Sequence, residues 1–230
     1  MAQGSRLEVQ SLKELLVVLH QPGSEWAERF EYLRHCVLHR HVGPAGSVLV
    51  ASAWPGEGKS FVAANLAAAI GSIGKRVILI DGDLRRPTVS QVFGLHGAPG
   101  LSNFLNHEMR FEDVLHATEV EGVSLVPAGS VFDHGQLEGT RLQAFFTHAR
   151  ERADILVVDA PPLSLCADAI HLGRHTGGVY FVTSDRTFQG VPEGLYSEDL
   201  RDEGIHIYGA ILNRTRPRIK QLLSRGWWTV

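Results

Sequence analysis

Cysteine is nearly absent. Cys36 and Cys166 are the two in 230 residues, far apart and without a C-x-x-C spacing, so neither a disulfide framework nor a zinc site is indicated. A reducing cytoplasm suits that composition best. An excess of one charge sign is also missing: 22 Lys and Arg against 25 Asp and Glu give a formal net charge of −3 and a pI near 6.4. That balance removes the global electrostatic case for nucleic acid as a partner. Long apolar runs are lacking as well. The longest near the N-terminus, Leu15 to Leu19, is too short to cross a bilayer or to form the core of a signal peptide. Any membrane association is expected to run through a partner. Internal repeats and low-complexity tracts are missing too.

What is present begins at Ser52, where Ser-Ala-Trp-Pro-Gly-Glu-Gly-Lys-Ser follows the apolar run Val48-Leu49-Val50 and precedes an alanine-rich stretch. This reads as a phosphate-binding loop. Gly56 and Gly58 let the backbone approach an anion, so that successive N–H groups and the next helix's N-terminus can point at one polyphosphate. Lys59 then reaches the β- and γ-phosphates and the Ser60 hydroxyl can ligate Mg²⁺. The pattern G-x-x-x-x-G-K-[ST] asks for glycine at position 53, where this chain has Ala53. Context restores the reading, because a strand precedes the loop and a helix with apolar Val62, Leu66 and Ile70 follows it.

Further short, β-branched runs occur at Val77 to Ile80, Val123 to Val126, Ile155 to Val158, Val179 to Val182 and Ile205 to Leu212. Helix-like segments lie between them, at Ser60 to Ile73, Thr140 to Glu151 and Val191 to Glu203. This alternation predicts an α/β P-loop fold: a mostly parallel sheet covered by helices on both faces. Ligands of such sheets bind beyond the carboxyl ends of the strands. The residues there are Ser52, Asp81, Asp159 and Asn213. Asp81-Gly82-Asp83-Leu84-Arg85-Arg86-Pro87 closes one strand and Asp159-Ala160-Pro161-Pro162 another. Three carboxylates and a lysine at neighbouring strand ends suit a metal-nucleotide site. Ser60 with Asp81 and Asp159 would hold hydrated Mg²⁺. Lys59, Asp81, Asp83 and Arg85 are the catalytic candidates, with Asp81 or Asp83 left to orient or deprotonate a nucleophile.

Ahead of Gly43-Pro44 stand two helical stretches, about Leu7 to His20 and Ser24 to His39, separated by Gln21-Pro22-Gly23. The expected organisation is an N-terminal helical arm over 1–42, a nucleotide-binding domain over 43–217, and a basic, tryptophan-bearing tail over 218–230. His35 and His39 lie one helical turn apart beside Cys36, but with no fourth ligand in view they read as a polar helix face. Arg214, Arg216, Arg218, Lys220 and Arg225, followed by Trp227 and Trp228, suggest a solvated terminal helix packing its tryptophans on the domain. A dock for an anionic surface is the other reading of that tail.

These segments resemble the Walker A, Walker A′ and Walker B motifs of the bacterial tyrosine kinases of capsule and exopolysaccharide synthesis, within the deviant P-loop group that contains the ParA and MinD ATPases. Asn65-Leu66-Ala67, Gly100-Leu101-Ser102, Pro127-Ala128-Gly129, Asp168-Ala169 and Gly209-Ala210-Ile211-Leu212-Asn213 extend the likeness over nearly the whole chain. The resemblance implies ATP and Mg²⁺ as cofactors, with Pro55, Gly56, Glu57, Gly58, Lys59, Ser60 and Phe61 around the nucleotide and Asn213 and Arg214 at its base. It also implies phosphoryl transfer to protein tyrosine, with Asp81 as general base. The implied partner is a membrane-embedded chain-length regulator that would hold the protein at the inner membrane.

Two departures qualify it. Glu31 in Glu28-Arg29-Phe30-Glu31-Tyr32-Leu33-Arg34 stands where the family's ring-forming Glu-x-x-Arg-x-x-Arg motif has its middle arginine. That charge reversal argues against the usual ring while leaving a homo-oligomer open. The chain also ends Arg225-Gly226-Trp227-Trp228-Thr229-Val230, without the family's cluster of tyrosines. The competing expectations are a nucleotide-dependent scaffold of the same machinery and a ParA- or MinD-like positioning ATPase.

Overall fold

The computed structural model describes residues 16–40, 46–130, 137, 139–184, 192–213 and 228–229. Two helices come first, α1 (Val17–His20) and α2 (Glu25–Arg40), followed by strand β1 (Gly46–Ser52) and helix α3 (Lys59–Gly71). The expected first helical stretch is described only over Val17–His20; its part over 7–15 lies outside the described residues. Next are β2 (Val77–Asp81), three short helices α4 (Thr88–Val92), α5 (Leu101–Leu105) and α6 (Phe111–Val114), then β3 (His116–Ala117) and β4 (Val123–Val126). The chain continues through α7 (Thr140–Arg152), β5 (Ile155–Asp159), α8 (Asp168–Gly173), β6 (Val179–Ser184), α9 (Pro192–Asp202), β7 (Ile207–Asn213) and β8 (Trp228–Thr229).

One eight-stranded sheet runs β3-β4-β2-β5-β1-β6-β7-β8. Only β3 is antiparallel, to β4. The central strands are apolar on both sides, as a sheet covered on both faces requires. Side chains alternate between two cores. Val48, Val50, Val77, Leu79, Ile155 and Val157 enter one; Leu49, Ala51, Ile78, Ile80, Leu156 and Val158 enter the other.

The first core is built on α3, which is buried on every residue but Phe61. Its alanines are the reason: small side chains let the helix lie close to the sheet on one side and to α2 on the other. Phe30, Leu33 and Val37 of α2, all buried, complete this core. The arm is therefore packed as a layer of the domain. Polar contacts fix its register. Arg34 Nη1 donates to the Ala69 carbonyl at 3.0 Å, sharing with the Ser72 hydroxyl an acceptor in the last turn of α3. Asn65 accepts from the Val18 amide at 3.3 Å and donates to the Phe61 carbonyl at 2.9 Å. Arg34, which closes the ring-type motif, is thus used within the chain, while Glu28 and Glu31 are exposed and Arg29 pairs with Glu25.

The sequence reading missed the short helices α4, α5, α6 and α8. Each has four to six residues, too few for a 3.6-residue period to show. The tail also differs from expectation. Instead of a helix, Trp228 and Thr229 pair in parallel with Ile211 and Leu212, covering the backbone edge that β7 would otherwise present. The basic stretch from Arg214 to Arg225 lies outside the described residues.

The arm's contribution can be measured. Phe30, with no exposed surface, meets the Phe61 ring edge-on at 5.7 Å. Phe30→Ala is expected to cost about 3–5 kcal/mol and to lower the urea midpoint without changing the slope; a loss under about 1 kcal/mol would show the arm to be detachable.

Candidate nucleotide site

The site forms where β1, β2 and β5 end side by side. In the parallel register Asp81 lies opposite Asp159, and Val50 of β1 flanks Asp159 on its other side. Strand order alone thus brings two carboxylates from residues 78 apart in sequence to the foot of α3. The loop between β1 and α3 curls over them. Gly56 and Gly58 take φ of +83° and +92°, a left-handed conformation that glycine adopts without strain. A Cβ on Gly58 would also stand 2.0 Å from the Asn213 amide nitrogen.

Lys59 is buried and turned inward. Its Nζ donates to Asp83 Oδ2 at 3.0 Å, lies 3.7 Å from Asp159 Oδ1 and reaches the Ser60 hydroxyl at 3.4 Å. Burial alone would lower the lysine's pKa, but Asp159 and Asp83 outweigh it and hold the ammonium above its ordinary value. Asp83 Oδ1 accepts the Arg86 amide at 3.0 Å. Asp81 is fully enclosed. Its Oδ2 accepts both the amide and the hydroxyl of Ser90, each at 2.7 Å, while Oδ1 has only a long bond of 3.3 Å from the Asp83 amide. Asp159, equally enclosed, accepts no hydrogen bond on either oxygen. Burial and the neighbouring Asp159 push Asp81 up to about 8. Burial, opposed by Lys59, raises Asp159 to about 6.

Among the described residues no set of three His, Cys, Asp or Glu side chains forms a metal cage. Mg²⁺ does not need one, since it binds through few protein ligands and completes its shell with phosphate oxygens and water. The residues fit such an ion. The Asp159 carboxylate, which accepts no hydrogen bond and has Lys59 at 3.7 Å, and the Ser60 hydroxyl beside it are the kinds of group such an ion would engage.

Other expected site residues are placed differently from one another. Glu57 Oε2 accepts the Trp54 amide at 3.0 Å, bracing the loop from within. Pro55 is exposed at the loop's turn. The Phe61 ring packs on the arm. Arg85 is drawn to Asp168 at 3.6 Å, at the exposed rim. Asn213 is buried, and its Nδ2 donates to the Glu57 carbonyl at 2.8 Å, so it clasps the loop. Arg214 lies outside the described residues. Sequence reasoning missed Ser90, which positions Asp81 and also accepts the Ala128 amide at 3.0 Å. No spacing signals it, because the contact depends on how α4 folds back. Trp54 was missed as well: it falls at an unrestricted position of the loop pattern.

The model of the ParA family, described as NUBPL iron-transfer P-loop NTPase, matches residues 45–168, more than half of the chain. The chain belongs to the ParA family of P-loop NTPases. Its relatives include proteins named as bacterial tyrosine-protein kinases. EpsB of Ralstonia solanacearum is 34% identical over 175 residues, covering 74% of this chain but 23% of its own length. The tyrosine-protein kinase YwqD of Bacillus subtilis (strain 168) is 29% identical over 214 residues, 92% of this chain and 88% of YwqD. Among solved structures, the chimerical protein CapA2B2 superposes with a TM-score of 0.83 at 26% identity, covering 88% of this chain and 90% of that one. The chain therefore spans about a quarter of the first relatives it matches and nearly all of others.

The two raised carboxyl groups have a measurable consequence for this ParA-family site. Cation binding favours the ionised forms, so a magnesium nucleotide held at these carboxylates would expel the proton that Asp81 retains near neutrality and the one that Asp159 regains below it. Affinity for Mg·ATP is expected to rise as pH increases from 6 to 8, with net proton release. Calorimetry in two buffers of different ionisation heat checks this; a heat independent of buffer would contradict it.

Proposed function

We propose that the chain binds Mg·ATP and transfers its γ-phosphoryl group to protein tyrosine in the machinery of capsule or exopolysaccharide synthesis. The observation that carries the reading is the convergence of Lys59, Asp81, Asp83 and Asp159 beneath a glycine loop at one end of a parallel sheet. The names of the ParA-family relatives support tyrosine as the acceptor.

In this reading Gly56, Gly58 and the N-terminus of α3 direct backbone N–H groups at the phosphates. Lys59 leaves Asp83 for the phosphate oxygens and stabilises the charge that gathers there. Ser60, Asp81 and Asp159 would hold Mg²⁺ and its water shell. The metal supplies charge neutralisation on the β- and γ-oxygens. The acceptor tyrosine oxygen forms a bond to the γ-phosphorus as the bond to the β,γ-bridging oxygen breaks, and ADP leaves with that electron pair. The phenolic proton passes to Asp81, the general-base candidate, whose Oδ1 carries only one long hydrogen bond. Ser90 keeps Oδ2 fixed, so the carboxylate presents Oδ1. Asn213 and Arg214 belong to the adenine end. Partner and location follow the motif resemblance: a membrane-embedded chain-length regulator supplies the activating contact and holds the protein at the cytoplasmic face of the inner membrane. No helix among the described residues is long and apolar enough to cross a membrane.

A scaffold that binds nucleotide without transferring phosphate draws support from the tyrosines. Tyr180 is buried, and Tyr32 is the exposed one among the four. Incubation with γ-labelled ATP, Mg²⁺ and a tyrosine-bearing copolymer separates the readings. Label on the copolymer is expected, with Lys59→Met reducing it by about 10²-fold or more and Asp81→Asn reducing turnover while ATP still binds. Nucleotide binding without label, even with the cytoplasmic tail of a chain-length regulator added, would establish the scaffold.

A further inference from the structure

The phosphate loop carries one large side chain that anion binding has no use for. Trp54 is 38% exposed, although its backbone is among the most constrained in the loop: its amide donates to Glu57 Oε2 at 3.0 Å and its carbonyl accepts the Ser52 hydroxyl at 2.9 Å. One aromatic ring adjoins it. The Tyr196 ring of α9 meets the indole edge-on, with centroids 6.4 Å apart and planes at 87°. A neighbouring segment also reaches the loop: the Ser164 amide donates to the Ala53 carbonyl at 3.0 Å, and Leu165, 49% exposed, follows Ser164 in the chain. An indole held in water by a rigid backbone, with a second ring against it, is a preformed apolar surface.

We propose that Trp54, with Tyr196 against its ring and Leu165 on the segment bonded to the loop, is the recognition surface for the acceptor tyrosine's ring. The proposal rests on the kinase reading and names the feature that would select the acceptor. Three observations favour a phenol as the occupant. The surface belongs to the same loop as Gly56, Gly58 and Lys59, so a group resting on it lies beside the loop that would hold the phosphates. Its three side chains carry no charge, so it does not attract a further anion. It also favours an edge-on or offset aromatic partner. A tyrosine bears its hydroxyl at the far end of its ring and can lean on Trp54 while presenting oxygen to phosphorus. Serine and threonine bear theirs on Cβ and offer no ring to hold. Trp54 would therefore discriminate tyrosine from the aliphatic hydroxyls through binding, without touching the reacting atoms.

The experiment compares wild type, Trp54→Ala and Trp54→Phe. Transfer is measured as a function of tyrosyl-peptide concentration, and ATP affinity is measured separately by calorimetry. Trp54→Ala is expected to raise the KM for the peptide roughly three- to tenfold with the Kd for ATP unchanged, and Trp54→Phe to restore most of the loss. An unchanged peptide KM in Trp54→Ala, or an equal loss of ATP affinity, overturns the proposal. A second measurement keeps it separate from the kinase reading: binding of the peptide to protein loaded with a non-hydrolysable ATP analogue. Weaker binding by Trp54→Ala than by wild type supports the recognition surface even if no phosphate is transferred, whereas equal binding rejects it even if phosphate is. Absence of transfer to any acceptor by wild type would remove the kinase reading alone.

Discussion

One ammonium group faces three carboxylates in a space closed to solvent, and this imbalance governs the site. Lys59 forms an ion pair with Asp83 and a longer one with Asp159, leaving Asp81 to hydrogen bonds from Ser90. Enclosed charge that lacks a partner must either pick up a proton or recruit a cation. The raised carboxyl groups are the first response, and a divalent ion with its polyphosphate is the second. Either way Lys59 is the movable element, since it can trade carboxylate oxygens for phosphate oxygens without leaving the cavity.

The surrounding architecture serves to keep this imbalance in place. β2 and β5 carry Asp81 and Asp159 in register, and α3 brings Lys59 and Ser60 above them. The helix cannot drift, because its alanines are clamped between the sheet and the Phe30, Leu33 and Val37 side of α2. Lateral support comes from polar contacts of long sequence separation. Ser90 joins Asp81 to the segment after β4. Arg34 ties the arm to the far end of α3.

Much of this was written in the sequence in plain terms, and the pattern of what was not is physical. The six main strands and the four long helices follow from apolar runs and periodicity, and the ends of parallel strands are adjacent by construction, which is why Asp81 and Asp159 could be paired before any coordinates. Strand β5 extends one residue beyond its apolar run because Asp159 still pairs with its neighbours. What stayed hidden depends on tertiary return. The hydrogen bonds of Ser90 require a five-residue helix to double back over β2. The Phe61 ring turns to the arm because α3 is buried on both sides, a property no single window reveals. Trp228 joins the sheet through a backbone register with Ile211 that composition, rich in basic residues nearby, had pointed away from.

The Asn213 clasp on the Glu57 carbonyl couples the two ends of the domain in time as well as in space. The loop that would cradle phosphate is complete once residue 60 has been made, yet its wall is finished by a side chain 153 positions later in the chain. A ribosome therefore releases a glycine cradle long before it releases the amide that shapes it. Nascent chains short of β7 have no means of setting that part of the cradle, so maturation of the pocket waits for the synthesis of β7.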